Sequence, residues 1–338
     1  MEPIFYLILL PITYLINITY IKNKFLLNFN GQKHQKFTNK KIVPLSGGLV
    51  IVIFLLNNYI FTDIQLCAII LLIFTLGIMS DYNSSFSPFL RIFFQLCIIF
   101  TMILTFDLEI TNTKVFFIDL LLKHKFINYL FCAFCLLIIL NGTNFIDGCN
   151  NVVLGYYLII TLILFKLNLF STIGIENYFI YGLIILFFIL VLFNSFEKLY
   201  LGDNGVYVLA LIFGFYLIKI YFNNPAISPY FIVLLLWYPA FENLFSLVRK
   251  FQLKKSPLEA DTYHFHQLLF FALNKAYFKS KNLANNMVGL LITTYNLIII
   301  LLAIINIYNT QYQVILIIIN ILIYIILYIR LYRYRFIN

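Results

Sequence analysis

Eleven apolar runs, near residues 4–21, 45–61, 64–79, 89–106, 126–140, 152–170, 178–194, 205–222, 229–247, 286–308 and 313–330, set the limits on what this chain can fold into. Stretches this long with almost no charge are candidate membrane-spanning helices. A membrane β-barrel would show shorter segments that alternate in polarity, and these runs do not alternate. Of the 338 residues, 63% are hydrophobic and 11% charged, against roughly 25% charged in an ordinary soluble domain. The sequence therefore predicts an all-α fold, a polytopic integral membrane helical bundle of ten to eleven transmembrane helices. The whole chain, 1–338, reads as one membrane-embedded domain. The first run begins almost at Met1 with no basic region before it, so it reads as a retained span rather than a cleaved leader.

The net charge of +10 does not call for nucleic acid, because Lys and Arg gather in the cytoplasmic loops of membrane proteins. Lys22, Lys24, Lys33, Lys36, Lys40 and Lys41 follow the first run. Arg249, Lys250, Lys254, Lys255, Lys275, Lys279 and Lys281 follow the ninth, and Arg330, Arg333 and Arg335 end the chain. With eleven spans these groups share one side, which predicts a cytoplasmic C-terminus and an outside N-terminus. Lys114, Lys123 and Lys125 on the other side are balanced by Asp107, Glu109 and Asp119.

The polar island Asn141–Asn151 stands out against that background. It holds Asp147, four carboxamides and two glycines at the end of an apolar run. Polar groups this dense at the edge of hydrocarbon are costly unless they face a wet site. Asp81, Asp147, Glu197, Asp203, Glu242, Glu259 and Asp261 all fall on the same predicted side. Two of these acids sit beside glycines, in Asp147-Gly148 and in Gly202-Asp203-Asn204-Gly205, where backbone and ligand can approach closely. A few carboxylates completed by water and phosphate make a magnesium site, and the surrounding Lys, Arg and His suit a polyanion. A cytoplasm-facing metal–phosphate site is what the residues themselves support. The five cysteines, including the Cys132–Cys135 pair, read as small apolar filler rather than a redox or zinc motif. His124 reads as a solvated loop residue.

Five motifs in order then carry a family resemblance. They are Lys33-His34 followed by Pro44-Leu45-Ser46-Gly47-Gly48, and Gly77-Ile78-Met79-Ser80-Asp81 followed by Arg91 and Gln95. Next come Asn141, Asn144, Asp147, Gly148 and Asn150, then Phe193-Asn194, Lys198 and Leu201-Gly202-Asp203-Asn204-Gly205. Last are Ser256-Pro257 and Asp261-Thr262-Tyr263-His264-Phe265-His266-Gln267. Over about 31–270 the chain resembles the polyprenyl-phosphate N-acetylhexosamine-1-phosphate transferases.

That resemblance implies transfer of a sugar 1-phosphate from a UDP-sugar to undecaprenyl phosphate, with release of UMP, in the bacterial cytoplasmic membrane. It implies magnesium as cofactor, with manganese as an alternative; whether the protein forms a homodimer stays open. By the same resemblance Asp203 is the first metal ligand, with Asp147 and Asp81 beside it. Asp81, Asp203, His264 and His266 are the catalytic set. Asn141, Asn144, Asp147, Asn150, Arg91 and Lys198 are the substrate-binding set. The break in the histidine run at Phe265 points to an envelope polymer such as O-antigen or capsule rather than peptidoglycan. Ser80 and Gln267 depart from the family pattern, which usually has a second aspartate and a third histidine there, and Asn150 stands where many members have aspartate. Two rival readings stay open. One is an impaired relative that binds the carrier or a nucleotide sugar as an assembly partner. The other is a multispan transporter or flippase, which predicts paired broken helices at mid-membrane.

Overall fold

A computed structural model describes residues 3–28, 42–83, 86–254, 256 and 263–336. Lys33, His34, Lys36, Lys40, Lys41, Lys255, Pro257, Glu259, Asp261 and Thr262 of the sequence motifs and charge groups lie outside the described residues.

In chain order the helices are α1 (Leu9–Lys22), α2 (Gly47–Tyr59), α3 (Ile64–Tyr82), α4 (Pro88–Phe106), α5 (Phe116–Leu122), α6 (Lys125–Ile146) and α7 (Val152–Lys166). They continue with α8 (Asn177–Ser195), α9 (Gly202–Asn223), α10 (Pro229–Leu235), α11 (Trp237–Gln252), α12 (Phe265–Ala276), α13 (Lys281–Ala303) and α14 (Thr310–Phe336). Among the described residues there is no β-strand, only an isolated bridge between Leu27 and Pro44. Helix satisfies every backbone N–H and C=O within the segment, which hydrocarbon requires. All eleven apolar runs form helices. Seven are long and apolar enough to cross a membrane: α3, α4, α6, α8, α9, α13 with its 3₁₀ extension, and α14. The α10–α11 pair makes an eighth if taken together, and Tyr6–Lys22, α2 and α7 are shorter apolar helices. The protein is a multi-pass helical membrane protein.

Helix α9 is the centre of the bundle, with 89% of its apolar window buried inside the protein. Two glycines let its neighbours reach it. A Cβ on Gly48 of α2 would lie 1.9 Å from Asn204 Oδ1, and one on Gly77 of α3 would lie 2.3 Å from Asn204 Cα. The glycine motifs of α2, α3 and α9 are thus one packing joint at the N-terminus of α9.

Three sequence expectations need correction. The ninth run is not a straight span, because α10 and α11 meet at a 78° bend around Leu236. The Leu235 carbonyl at the break accepts a hydrogen bond from Tyr156 Oη at 2.8 Å. Arg249 and Lys250 are not loop residues; both are buried on α11. The polar island is helical through Ile146, so Asn141 and Asn144 lie on the last turns of α6.

Helix α11 is amphipathic in reverse. Glu242, Asn243, Ser246, Arg249 and Lys250 are buried, while Leu244, Leu247, Val248 and Phe251 are exposed. Spacing of three and four residues puts each set on one face. An apolar outer face and a polar inner face suit a helix between lipid and a wet interior.

Candidate active site

The C-terminus of α3, the N-termini of α4 and α9, and the end of α6 meet at one end of the bundle. The first amides of α9 have no partner within their own helix, so a carboxylate there is stabilised by hydrogen bonds and by the helix dipole. Asp81 fills that position. Its Oδ1 accepts from Asp203 N–H at 2.9 Å, and its Oδ2 accepts from Asn204 N–H at 3.0 Å and from Asn204 Nδ2 at 2.6 Å. Gly202 makes this fit with φ +69°, in the left-handed region, and a Cβ there would lie 2.7 Å from Asp81 Oδ2.

Asp203, held by that cap, is the hub of a polar cluster. Its Oδ2 accepts hydrogen bonds from Ser80 Oγ at 2.5 Å and Tyr207 Oη at 3.1 Å, and lies 3.6 Å from Arg91 Nη1. Arg91 Nη1 also donates to Ser80 Oγ at 3.4 Å. Among the described residues no hydrogen bond engages Asp203 Oδ1. Asn144 Nδ2 donates to Tyr207 Oη at 3.4 Å, joining α6 to the hub. Asp147, one turn further on, caps the end of α6. Burial lifts its carboxyl from the ordinary 3.8, and the nearby charge of Asp203 adds to this, bringing it to about 7.

The second part of the site comes from α11 and α12. His264 Nδ1 lies 2.9 Å from Oε1 of the buried Glu242. The His264 and His266 rings lie parallel, 5.8 Å apart and 9° from coplanar orientation, and His264 packs on Phe145 at 5.1 Å. His266 sits directly over Gly148, where a Cβ would lie 2.0 Å from its Nε2. The glycine after Asp147 is therefore the place where the two parts touch. Lys250, buried on α11, stands 5.6 Å over the Phe145 ring.

Residues 64–221 match the sequence model of a protein family, Glycosyl transferase family 4. That stretch, a little under half of the chain, is similar to glycosyl transferase family 4. This is the family of the polyprenyl-phosphate hexosamine-1-phosphate transferases. No curated protein matches the chain.

The family's matched stretch contains Ser80, Asp81, Arg91, Asn144, Asp147, Asp203 and Tyr207, whereas Glu242, His264 and His266 lie beyond it. The structure gathers Asp203, Arg91, Asn144, Asp147, His264 and His266 at one end of the bundle and gives three expected residues other positions. Asn150 is buried with its amide spent on α13. Its Nδ2 donates to Asn286 Oδ1 at 2.8 Å, and its Oδ1 accepts from Asn285 Nδ2 at 2.9 Å. It fastens the island to α13 rather than lining a pocket. Asn141 turns to α4, donating to Gln95 Oε1 at 3.1 Å. Lys198 is exposed between α8 and α9, and among the described residues no hydrogen bond or ion pair joins it to the Asp203 cluster.

Magnesium needs only one or two carboxylates when water and phosphate complete its shell. Asp147 and Asp203 suit that role. Their charges disfavour one another, which a cation between them would relieve, and Asp203 keeps an oxygen outside its internal network. Asp81 does not suit it, since both its oxygens are committed to the α9 amides. Among the described residues no three His, Cys, Asp or Glu side chains converge on one metal position. The expected set Asp203, Asp147 and Asp81 thus reduces to a pair.

Four contributors were not singled out as site residues from the sequence: Tyr207, Glu242, Lys250 and Tyr324. Tyr207 follows Asp203 by four residues, one helical turn, and that spacing is a usable signal. The polar stripe 242, 243, 246, 249 and 250 is another, once it is read as facing inward. Nothing in the sequence points to Tyr324 beside Glu242.

Proposed function

We propose that the chain transfers a sugar 1-phosphate, with N-acetylhexosamine 1-phosphate as the expected group, from a UDP-sugar to undecaprenyl phosphate. An oxygen of the lipid phosphate attacks the phosphorus next to the sugar, a new P–O bond forms, and the bond to UMP breaks. The supporting observation is that Asp203, held on a capped helix N-terminus, is joined by Arg91, Tyr207, Asn144 and Asp147, with the two histidines across Gly148. The family supports a sugar-phosphate transferase in general. The UDP-sugar, the lipid, the envelope pathway and the bacterial cytoplasmic membrane are parts of the proposal.

Magnesium bound by Asp147 and Asp203, with manganese as the alternative, would neutralise diphosphate charge and stabilise the leaving UMP. The protein's own groups position and balance charge, the main tasks in phosphoryl transfer. Arg91 brings a guanidinium to the phosphate site and is kept in place by Ser80 and Asp203. Tyr207 and Ser80 both donate to Asp203 Oδ2, which fixes the carboxylate and leaves Oδ1 for a ligand. Asn144 and Tyr207 offer polar edges to a nucleotide. His264 and His266 supply donors to the phosphates of the lipid or the sugar. Asp81 acts by holding the α9 terminus rather than by taking a proton. The basic residues near this end of the bundle favour a site facing the cytoplasm.

An impaired relative that binds carrier lipid or nucleotide sugar without turnover is the second reading, favoured by Ser80 and by the two-acid pair. A transporter is disfavoured, because among the described residues one bent helix pair is present rather than two. The deciding experiment presents a panel of UDP-sugars and undecaprenyl phosphate to the protein in membranes, with and without magnesium. Sugar-1-phosphate transfer by the wild type, lost in Asp203→Asn, supports the enzyme. No transfer from any sugar, with turnover restored in Ser80→Asp, moves the assembly partner to the front.

A further inference from the structure

Glu242 is fully buried on the inward face of α11. A buried carboxylate is costly unless donors surround it, and three converge here. Tyr324 Oη of α14 donates to Oε2 at 2.5 Å. Phe265 N–H, the first amide of α12, donates to Oε1 at 3.3 Å, and His264 Nδ1 lies 2.9 Å from the same oxygen. An ionised carboxylate only accepts hydrogen bonds. With Glu242 ionised, His264 must carry a proton on Nδ1, so its Nε2 donates to a phosphate only when the ring is the imidazolium.

A second tie holds the residue before His264. Arg249 Nη1 donates to the Tyr263 carbonyl at 2.9 Å and to Tyr328 Oη at 3.1 Å, and Tyr328 Oη donates to the same carbonyl at 3.0 Å. Tyr324 and Tyr328 are four residues apart on α14, one turn, with their rings 11° from parallel. They lie on the one buried face of their helix, which also carries Gln313, Leu316 and Asn320. Only 17% of the apolar window of α14 is buried, yet Tyr324 and Tyr328 are 3% and 6% exposed. The C-terminal end of that face brings two tyrosines to the histidine segment.

We infer that Tyr324 and Glu242 are positioning residues that set the tautomer and ring plane of His264 for the transfer reaction. The inference rests on the functional reading above, and it extends the working site to α14, more than a hundred residues beyond the end of the family match at 221. Because His264 stacks on His266 and His266 covers Gly148, the relay also fixes the contact between the histidines and the Asp147 turn.

Two readouts test it on the full-length protein in lipid nanodiscs. The first is ¹⁵N NMR of histidine-labelled wild type, Glu242→Gln and Tyr324→Phe, with the His264 signals assigned by His264→Gln. A protonated Nδ1 in the wild type that shifts in both variants is the expected result. An unshifted His264 signal in both overturns the relay. The second is the kinetics of sugar-1-phosphate transfer. Partner groups that orient a functional histidine typically contribute about 10- to 100-fold. Glu242→Gln is expected to lower kcat by that amount, and Tyr324→Phe by about 3- to 10-fold, with KM within about twofold in both. Unchanged kcat in both overturns the positioning role, and so does a loss confined to KM. If the wild type transfers nothing, the functional reading fails, and the NMR result still decides whether the relay exists.

Discussion

The two parts of the site are built by different means. Around Asp203 the parts are backbone and glycine: a helix N-terminus, a capping carboxylate and neighbours brought close by Gly48, Gly77 and Gly202. Around His264 they are side chains reaching across gaps, from Glu242, Arg249, Tyr324 and Tyr328. The first part sits on α9, buried on nearly all sides, and the second hangs from α14, which mostly faces lipid. A backbone joint fixes position to within a fraction of an ångström, and a substitution there either fits or clashes. A side-chain relay is more tolerant, so its loss lowers a rate instead of abolishing it.

The largest expected effect tests the first part. Asp203→Asn keeps the side-chain volume but removes the charge that pairs with Arg91 and raises Asp147. Transfer activity is expected to fall by about 10³-fold, the upper end of what one electrostatic group contributes. Thermal stability measured on the same sample should stay close to wild type. Retained activity within about tenfold would remove Asp203 from the centre of the site.

Gly148→Ala attacks the junction of the two parts. The added methyl would lie 2.0 Å from His266 Nε2, so the ring or the Asp147 turn must move. A shift of about 1 Å at a reacting group costs about 100-fold in rate. Gly48→Ala is the control within the backbone joint. It drives a methyl to 1.9 Å from Asn204 Oδ1 and 2.5 Å from the Gly205 nitrogen, an overpacking expected to cost about 1–3 kcal/mol of stability. The comparison predicts that Gly148→Ala loses rate at nearly normal melting temperature, whereas Gly48→Ala loses both.

How much of this was legible in the sequence follows the same division. The helical bundle was legible, because hydrocarbon leaves few alternatives and every apolar run became a helix. The Asp203 cluster was largely legible, since acids beside glycines mark sharp local geometry. The bend at Leu236 was not read, although Pro239 marks it, since proline has no N–H to give the Leu235 carbonyl. Asn150 was misread because a carboxamide in a polar island looks the same whether it faces substrate or Asn285 and Asn286. The bonds of Asp81 to the α9 amides were not legible, since sequence cannot tell a free carboxylate from one capping a helix 122 residues away. Tyr324 was invisible for a related reason: among 25 tyrosines, nothing local marks the one that reaches a buried glutamate.

Ser80→Asp sharpens the comparison by a smaller amount. It replaces a hydroxyl that donates to Asp203 at 2.5 Å with a second carboxylate. Without metal the like charges repel, and with metal the extra oxygen adds a ligand. The magnesium concentration giving half-maximal transfer is expected to fall by about 3- to 10-fold, as more ligand charge tightens binding of a hard cation. A rise instead would mean that Ser80 serves Arg91 and Asp203 as a hydrogen-bond bridge that a carboxylate cannot replace.

The last effect is a matter of pH and sits at the boundary between the two parts. Asp147 has its carboxyl lifted to about 7, chiefly by burial and further by Asp203. A carboxyl with a raised folded-state pKa favours folding in its protonated form. That contribution is complete below the ordinary value of 3.8 and is lost as pH rises through about 7. Magnesium has the opposite preference, since it needs the ionised form. Apparent magnesium affinity should therefore increase by up to about tenfold per pH unit below 7, the limit for one displaced proton, and level off above it. In Asp203→Asn the coulombic contribution disappears while burial remains, so the midpoint should move down only part of the way toward the ordinary carboxylate range. Titrating magnesium against pH in both proteins separates the two causes. A midpoint unmoved by Asp203→Asn would mean that the acids do not share a site, and the two-carboxylate magnesium pair would fall with it.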